Sequence, residues 1–253
     1  MKKTSLIYIP LQRSQATYRL LCFPYAGGSA ATYMQWAEQL DADIELAVIQ
    51  LPGRGIRLVE AAYSTMEEIV DAITNAMNLL RDKPFVFFGH SMGARVAYEV
   101  CLALEQKNKP LPVHFFASAC AAPNIERELP PTYHLPNKVF LDKIAALNGS
   151  PQAVLEDEEL MELILPALRA DFKIIETYCN KNKHTLPLGV SVLVGSSEKF
   201  KPAALENWFD LFESNTGIHT VKGDHFFVDK NKQPVIDFIN TTVTCQLATA
   251  ESA

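Results

Sequence analysis

The chain has 253 residues, 48% of them hydrophobic, and a net charge of −6. That is enough apolar material for one sizeable domain spanning 1–253, with no second domain required. Without long basic clusters, the acidic balance argues against nucleic acid or an anionic membrane surface as the main partner and leaves small molecules and proteins.

In chain order, the start MKKTSLIYIP is too short in its apolar run, and too soon broken by Pro10, for a signal peptide. It is read as a mature cytoplasmic N-terminus. Tyr18 to Phe23 predicts a strand, Ala30 to Leu40 a helix, and Ile44 to Leu51 a second strand ending in the turn Pro52-Gly53-Arg54-Gly55. Ser64 and Glu67 are spaced as a capping box for a helix running toward Leu80. Pro84 opens an aromatic, β-branched strand from Phe85, and Met92, Val96, Val100 and Ala103 then repeat at helical spacing. Val113 to Ala119 is the next strand.

From Pro123 to about Leu186 the sequence has proline-rich turns and helical stretches but no good strand, so 123–186 is read as a helical lid inserted into the domain. Strand signals resume at Val190 to Val194, followed by an amphipathic stretch from Ala203 to Phe212, a short strand near His219 to Val221 and a final helix after Pro234. The tail from Thr241 is expected to fray. Alternating strands and helices predict an α/β fold: a mainly parallel central sheet flanked by helices. No apolar stretch approaches the roughly 20 residues that span a bilayer. The five cysteines are scattered without Cys-x-x-Cys spacing, so neither a disulfide framework nor a zinc site is indicated, and Cys22, Cys101 and Cys120 are expected as buried thiols.

Between the strand at Phe85 and the helix after it lies Gly89-His90-Ser91-Met92-Gly93. In that strand-turn-helix context Gly-x-Ser-x-Gly is a nucleophile elbow, which aims the serine hydroxyl outward. Ser91 then needs a base and an acid. His225, in Gly223-Asp224-His225-Phe226-Phe227 after the last strand, is the candidate base, while His90 is expected to pack and orient the turn. His114, His134, His184 and His219 show no pairing that suggests a shared role. The acid belongs at the end of the strand before His225, where Glu198 is the carboxylate in Gly195-Ser196-Ser197-Glu198; Asp224, Asp171 and a water-supported dyad are the rivals. For the oxyanion, the backbone N–H after the nucleophile, Met92, is one donor, and Ala26 in Phe23-Pro24-Tyr25-Ala26-Gly27-Gly28-Ser29 is the other. Neither Gly-x-Gly-x-x-Gly nor a Walker lysine is present, which makes a nucleotide site improbable.

Five blocks together carry more than the serine motif: LLCFPYAGGSAATYMQWAEQL, IQLPGRGIRL, GHSMGARVAYEV, LILPALRADFKIIETY and GDHFFV. On these the chain resembles the type II thioesterases of non-ribosomal peptide and polyketide synthases, within the α/β-hydrolase fold, over nearly its whole length. The resemblance implies Ser91 as nucleophile, His225 as base and backbone donors at Ala26 and Met92. It matches Glu198 to a position where the family usually has aspartate, so the chain departs there. Arg169, Asp171 and Phe172 match a recurrent stretch of the lid, where a salt bridge and core contact are expected. The implied function is hydrolysis of acyl thioesters on the phosphopantetheine arm of acyl or peptidyl carrier proteins. No cofactor or metal is expected, because phosphopantetheine belongs to the substrate; nor is a nucleic-acid or membrane partner, and the protein is expected to be a cytoplasmic monomer. Two other readings stay open: a carboxylesterase or acyltransferase acting on a free small molecule, and a non-catalytic protein that binds acyl carriers.

Overall fold

The computed structural model describes residues 6–80, 82–147 and 157–247. Seven strands form one sheet: β1 Ile7–Tyr8, β2 Tyr18–Phe23, β3 Ile44–Ile49, β4 Phe85–His90, β5 His114–Ser118, β6 Leu186–Gly195 and β7 Phe212–Val221. Their spatial order is β1-β3-β2-β4-β5-β6-β7, with β1 antiparallel to β3 and every other pair parallel. The central strands are apolar on both sides because both faces are covered. Leu21, Phe23, Phe85, Phe87, Phe115 and Ala117 point to one core, while Leu20, Cys22, Val86, Phe88 and Phe116 point to the other. Cys22, Cys101 and Cys120 are buried thiols, and burial raises the pKa of each.

The chain runs from β2 outward to β3, then crosses back to place β4 on the other side of β2. Reversal of this kind leaves a crevice at the carboxyl ends of the two adjoining strands, where ligands bind in open α/β sheets. The loops after β2 and after β4 both open into it. They are held close together: a Cβ added at Gly93 would lie 1.9 Å from the carbonyl oxygen of Phe23, the last residue of β2.

The helices are α1 Met66–Ala76, α2 Met92–Gln106, α3 Asn137–Ala145, α4 Glu158–Thr177, α5 Pro202–Glu206, α6 Phe227–Lys230 and α7 Gln233–Thr241. The chain between β5 and β6 contains α3 and α4 and no strand among its described residues; part of the expected lid, 148–156, lies outside the described residues. Phe140 and Ile144 of α3 pack with Leu168 and Phe172 of α4 in a small core of their own. Arg169 joins the two helices, with its guanidinium 4.5 Å over the Phe140 ring and hydrogen bonds to Asn137 Oδ1 (2.7 Å) and the Tyr133 carbonyl. At the other end of α4, Arg95 of α2 donates to the Ile175 carbonyl at 3.0 Å, satisfying a terminal acceptor of the helix.

Several expectations are corrected. Ala30 to Leu40 forms two 3₁₀ helices, Ala30–Thr32 and Met34–Glu38, in place of one α-helix. Burying Tyr33 and Trp36 edge to face against one another and Phe88 sets a tighter local winding than 3.6-residue periodicity suggests. The capping box sits one residue later than expected, with Thr65 and Glu68 exchanging the reciprocal bonds. The last strand is ten residues long, not the short strand expected near His219 to Val221: β7 is an edge strand whose mostly polar, exposed residues hide its length in the sequence, and register shifts interrupt its pairing with β6. The stretch from Ala203 holds only the short α5 and a 3₁₀ turn at Phe209–Leu211. Beyond Thr241 the backbone continues as a π-helical segment, Thr242–Leu247, with Thr242 and Val243 buried; the rest of the tail lies outside the described residues. Among the described residues no helix is long and apolar enough to cross a membrane.

The contact at Gly93 generates a prediction. Gly93→Ala has to push α2 and the β2 loop apart, so it should cost about 1–3 kcal/mol by overpacking and disturb both loops. Urea denaturation measures the loss, and an unchanged midpoint would mean that the two loops are not in the close contact described.

Candidate active site

Ser91 has φ 54° and ψ −115°, a left-handed backbone in a residue with a side chain. Such strain costs on the order of 1–3 kcal/mol and persists only where surrounding structure enforces it. Here the Ser91 N–H donates to the Ser118 carbonyl at the end of β5 (2.8 Å), while Gly89 and Gly93 leave backbone room on either side. The hydroxyl is thereby turned toward His225, with Oγ 3.0 Å from Nε2. On the other side of that ring, Nδ1 lies 2.7 Å from Glu198 Oε1. Glu198 is nearly buried, and its second oxygen accepts the Gly195 N–H at 2.7 Å. Glu198 closes a turn at the end of β6, its N–H donating to the Gly195 carbonyl at 3.0 Å.

The structure separates the rival carboxylates from this line. Asp224 accepts from Lys230 Nζ (2.7 Å) and the Phe226 N–H (2.9 Å), facing away from the imidazole. Asp171 pairs with Arg54 under the β2 loop. His90 is fully buried: Nε2 is 2.8 Å from the His225 carbonyl and Nδ1 is 2.8 Å from Ser118 Oγ. A carbonyl only accepts, so Nε2 carries the proton and the Ser118 hydroxyl donates to Nδ1. Burial, with His225 nearby, lowers the His90 pKa to about 3 and keeps the ring neutral. His90 thus ties the backbone of the His225 loop to the elbow strand.

After β2, Tyr25 and Gly28 close a turn through the Gly28 N–H and Tyr25 carbonyl at 2.8 Å. Gly27 takes φ +78° within it, as the third residue of a type II turn requires. Ala26 and Met92 carry N–H groups with no hydrogen-bond partner among the described residues. The loop is anchored beneath: the Gln50 side chain accepts the Ala30 N–H (2.9 Å) and donates to the Arg54 carbonyl (3.0 Å). Gln50 and Arg54 are not evident as site residues in the sequence, whereas the salt bridge expected of the Arg169-Asp171-Phe172 stretch is made by Asp171, with Arg54 as its partner. Their signal was the polar Gln50 at a strand end and the Pro52-Gly53-Arg54-Gly55 turn, but their partners are far away in the chain.

Ser91, His225 and Ala26 line a cavity of about 760 Å³. Its walls include Tyr25, Phe226, Leu135, Ile144, Phe172 and Ile175, with Arg127 and Lys143 also lining it. A smaller chamber of about 240 Å³ adjoins it across Tyr25, Ala26, Phe172 and Phe226 and reaches Arg54 and Leu168. The Pro130–Tyr133 loop is bound to α4 by Glu176, whose carboxylate accepts from Thr132 N–H (2.6 Å), Thr132 Oγ1 (2.7 Å) and Tyr133 N–H (2.9 Å) and pairs with Arg127 (3.2 Å). Such an arrangement suits nucleophilic acyl transfer inside a largely apolar, roofed site.

Two of the remaining histidines are linked through the sheet. His114 and His219 share a chain of polar contacts across β5, β6 and β7, from His114 Nε2 to Ser191 Oγ (2.8 Å), Thr216 Oγ1 (2.7 Å) and His219 Nε2 (3.0 Å). Among the described residues, no group of three or more His, Cys, Asp or Glu side chains could hold a metal ion.

Comparison with known proteins adds three findings. The thioesterase domain family matches residues 18–243. Gramicidin S biosynthesis protein GrsT of Aneurinibacillus migulanus is 35% identical over 227 residues, covering 89% of this chain and 89% of its own. Two solved structures align with a TM-score of 0.83: the RedJ thioesterase from the prodiginine pathway in Streptomyces coelicolor, 30% identical over 91% of this chain and 87% of that one, and YbtT, the type II thioesterase of the yersiniabactin pathway, 28% identical over 93% and 96%.

The buried histidines fix a pH response. In the unfolded chain His90 and His114 titrate near 6.5, whereas burial holds them at about 3 and about 4 in the folded protein. Above pH 6.5 both states are neutral and stability is full; as the pH falls from 6.5 toward 4 and 3, the unfolded state binds protons that the folded state refuses. Each histidine should therefore remove on the order of 1–2 kcal/mol between pH 6.5 and 5. Urea midpoints across that window should fall for wild type and fall less steeply for His114→Gln. A flat wild-type profile would contradict the neutral, buried state of these rings.

Proposed function

The chain belongs to the thioesterase domain family and hydrolyses acyl thioesters, and from that premise we propose that it is a discrete editing enzyme. It removes stalled or misprimed acyl groups from the phosphopantetheine arm of acyl or peptidyl carrier proteins on a non-ribosomal peptide or polyketide synthase. The observation that carries this reading is the continuous hydrogen-bonded line from Glu198 through His225 to Ser91 at a cavity wall.

In the proposed mechanism Ser91 Oγ attacks the thioester carbonyl as His225 Nε2 accepts its proton, and Glu198 stabilises the imidazolium through Nδ1. The N–H groups of Ala26 and Met92 receive the oxyanion. The tetrahedral adduct collapses, the carbon–sulfur bond breaks, and the pantetheine thiol leaves with the proton from His225. Water, deprotonated by the same nitrogen, then attacks the acyl-serine and releases the carboxylic acid. These steps need no cofactor, and the pantetheine is substrate. The region 123–186 acts as a lid, whose helices α3 and α4 shield the acyl-enzyme from bulk water. The family match favours this reading over a free-ester carboxylesterase, and the three hydrogen-bonded side chains favour it over a non-catalytic carrier-binding protein.

The roles of the three side chains are tested by substitution. Ser91→Ala should abolish turnover and labelling by a fluorophosphonate, which in wild type should place one adduct on Ser91. Glu198→Gln should lower kcat on the order of 10⁴-fold, as for triad acids generally, and Glu198→Asp should retain more activity. Labelling at another serine with activity kept in Ser91→Ala would refute the mechanism.

The substrate is tested by a paired kinetic series with one acyl group carried on acyl carrier protein, coenzyme A and N-acetylcysteamine. The carrier-bound form should show the highest kcat/KM. Substitution of the exposed Val139 on α3 and Leu163 on α4, neither of which lines the cavity, should weaken that reaction selectively. Equal efficiency on all three, insensitive to these substitutions, would favour a free small-molecule substrate.

A further inference from the structure

The turn that presents Ala26 is held from α4, far away in the chain. Asp171 Oδ2 accepts the Gly27 N–H at 2.7 Å. The same carboxylate receives the Arg54 guanidinium on both oxygens, with Nη2 to Oδ1 at 2.9 Å and Nη1 to Oδ2. Both side chains are buried, Asp171 to 1% exposure. Leu168, on the preceding turn of α4, presses against the same loop: a Cβ on Gly27 would lie 2.9 Å from its Cδ1. Phe172, next to Asp171, lines the cavity that contains Ser91.

The peptides on either side of Ala26 carry the N–H groups of Ala26 and Gly27. Capturing the second pins one peptide plane and so sets the direction of the first. An oxyanion donor has to lie 2.7–3.1 Å from an oxygen that exists only in the transition state, so small rotations there are costly to rate. We infer that Asp171, charge-balanced by Arg54, is a positioning residue for the oxyanion donor at Ala26, so that the helix roofing the acyl cavity also sets the transition-state site. This rests on the role proposed above for Ala26.

Buried ion pairs can often be replaced by apolar side chains without loss of stability, whereas removing one partner is destabilising. That difference separates positioning from support. The proteins compared are wild type, Asp171→Asn, the charge-free pair Arg54→Met/Asp171→Asn, which keeps an acceptor for the Gly27 N–H, and Arg54→Met/Asp171→Leu, which has none. Thermal melting, kcat and KM on an acyl-coenzyme A and affinity for an alkyl boronic acid are measured on each. Asp171→Asn should melt lowest, because Arg54 is left unpaired, yet keep kcat within about tenfold. The leucine pair should melt between Asp171→Asn and wild type, because it has no unpaired charge but leaves the Gly27 N–H without its acceptor, while losing on the order of 10²–10³-fold in kcat, the usual cost of one oxyanion donor. Its KM should stay within about threefold, and its boronate affinity should fall in step with kcat/KM. A kcat that follows melting temperature across the set, or a folded leucine pair within about threefold of wild type, overturns the inference. If the leucine pair does not fold, the Arg54→Met/Asp171→Asn pair decides: it should turn over within about threefold of wild type, and a hundredfold loss in the folded protein overturns the inference. Ser91→Ala is the control, since turnover by it would defeat the proposed function, whereas an inactive Ser91→Ala with the two pairs equal in kcat defeats only the role of Asp171.

Discussion

Everything at the site depends on how closely the elbow helix approaches the end of β2. At Gly93 the helix backbone and the Phe23 carbonyl leave no room for a methyl group. The contact puts the first residues of α2 beside the loop that begins at Pro24, so the N–H groups of Met92 and Ala26, unpartnered among the described residues, follow adjoining strands of the sheet. Sheet topology brings those strands together, and the absence of a side chain at Gly93 lets the backbone that follows each of them come into close contact. Two residues before Gly93, the left-handed Ser91 is held in place by the Ser118 carbonyl.

Around this contact the polar groups are arranged as ties between segments distant in sequence. His90 joins the elbow strand to the His225 loop, Gln50 joins the loops after β2 and β3, and Glu176 joins α4 to the chain before α3. Each uses a donor and an acceptor that would be costly to leave unpaired in a buried setting. Apolar packing fixes the sheet and its flanking helices. Directional bonds fix the loops, which lack the regular packing to do it themselves.

What could be read in the sequence follows from whether the cause was local. Tyr18–Phe23 was legible in full because an apolar strand between turn signals is a local pattern. The elbow was legible because its glycines and serine act over five residues, and Glu198 because it stands at a strand end. β1 escaped notice since two residues pairing with β3 leave no periodic signal. β7 was under-read because an edge strand carries polar residues outward and looks like a loop. The helix expected at Ala30 failed because burial of Tyr33 and Trp36, a tertiary event, overrode spacing. Arg54 with Asp171, and His114 through Ser191 and Thr216 to His219, were illegible in principle: each joins residues brought together only by the finished fold.

The buried cysteines bear on a hazard particular to thioester chemistry. Acyl groups pass readily between thiolates, so an enzyme that liberates a thiol could divert its own substrate onto an accessible cysteine and trap it there. Cys22, Cys101 and Cys120 are shut away from solvent, and burial favours the protonated, non-nucleophilic form of each. Cys120 follows the strand β5 that braces the elbow, and its carbonyl is held by the Trp208 indole at 2.8 Å. For these three thiols the core thereby supplies chemical silence as well as cohesion, whereas Cys179 is a free thiol that is only partly buried.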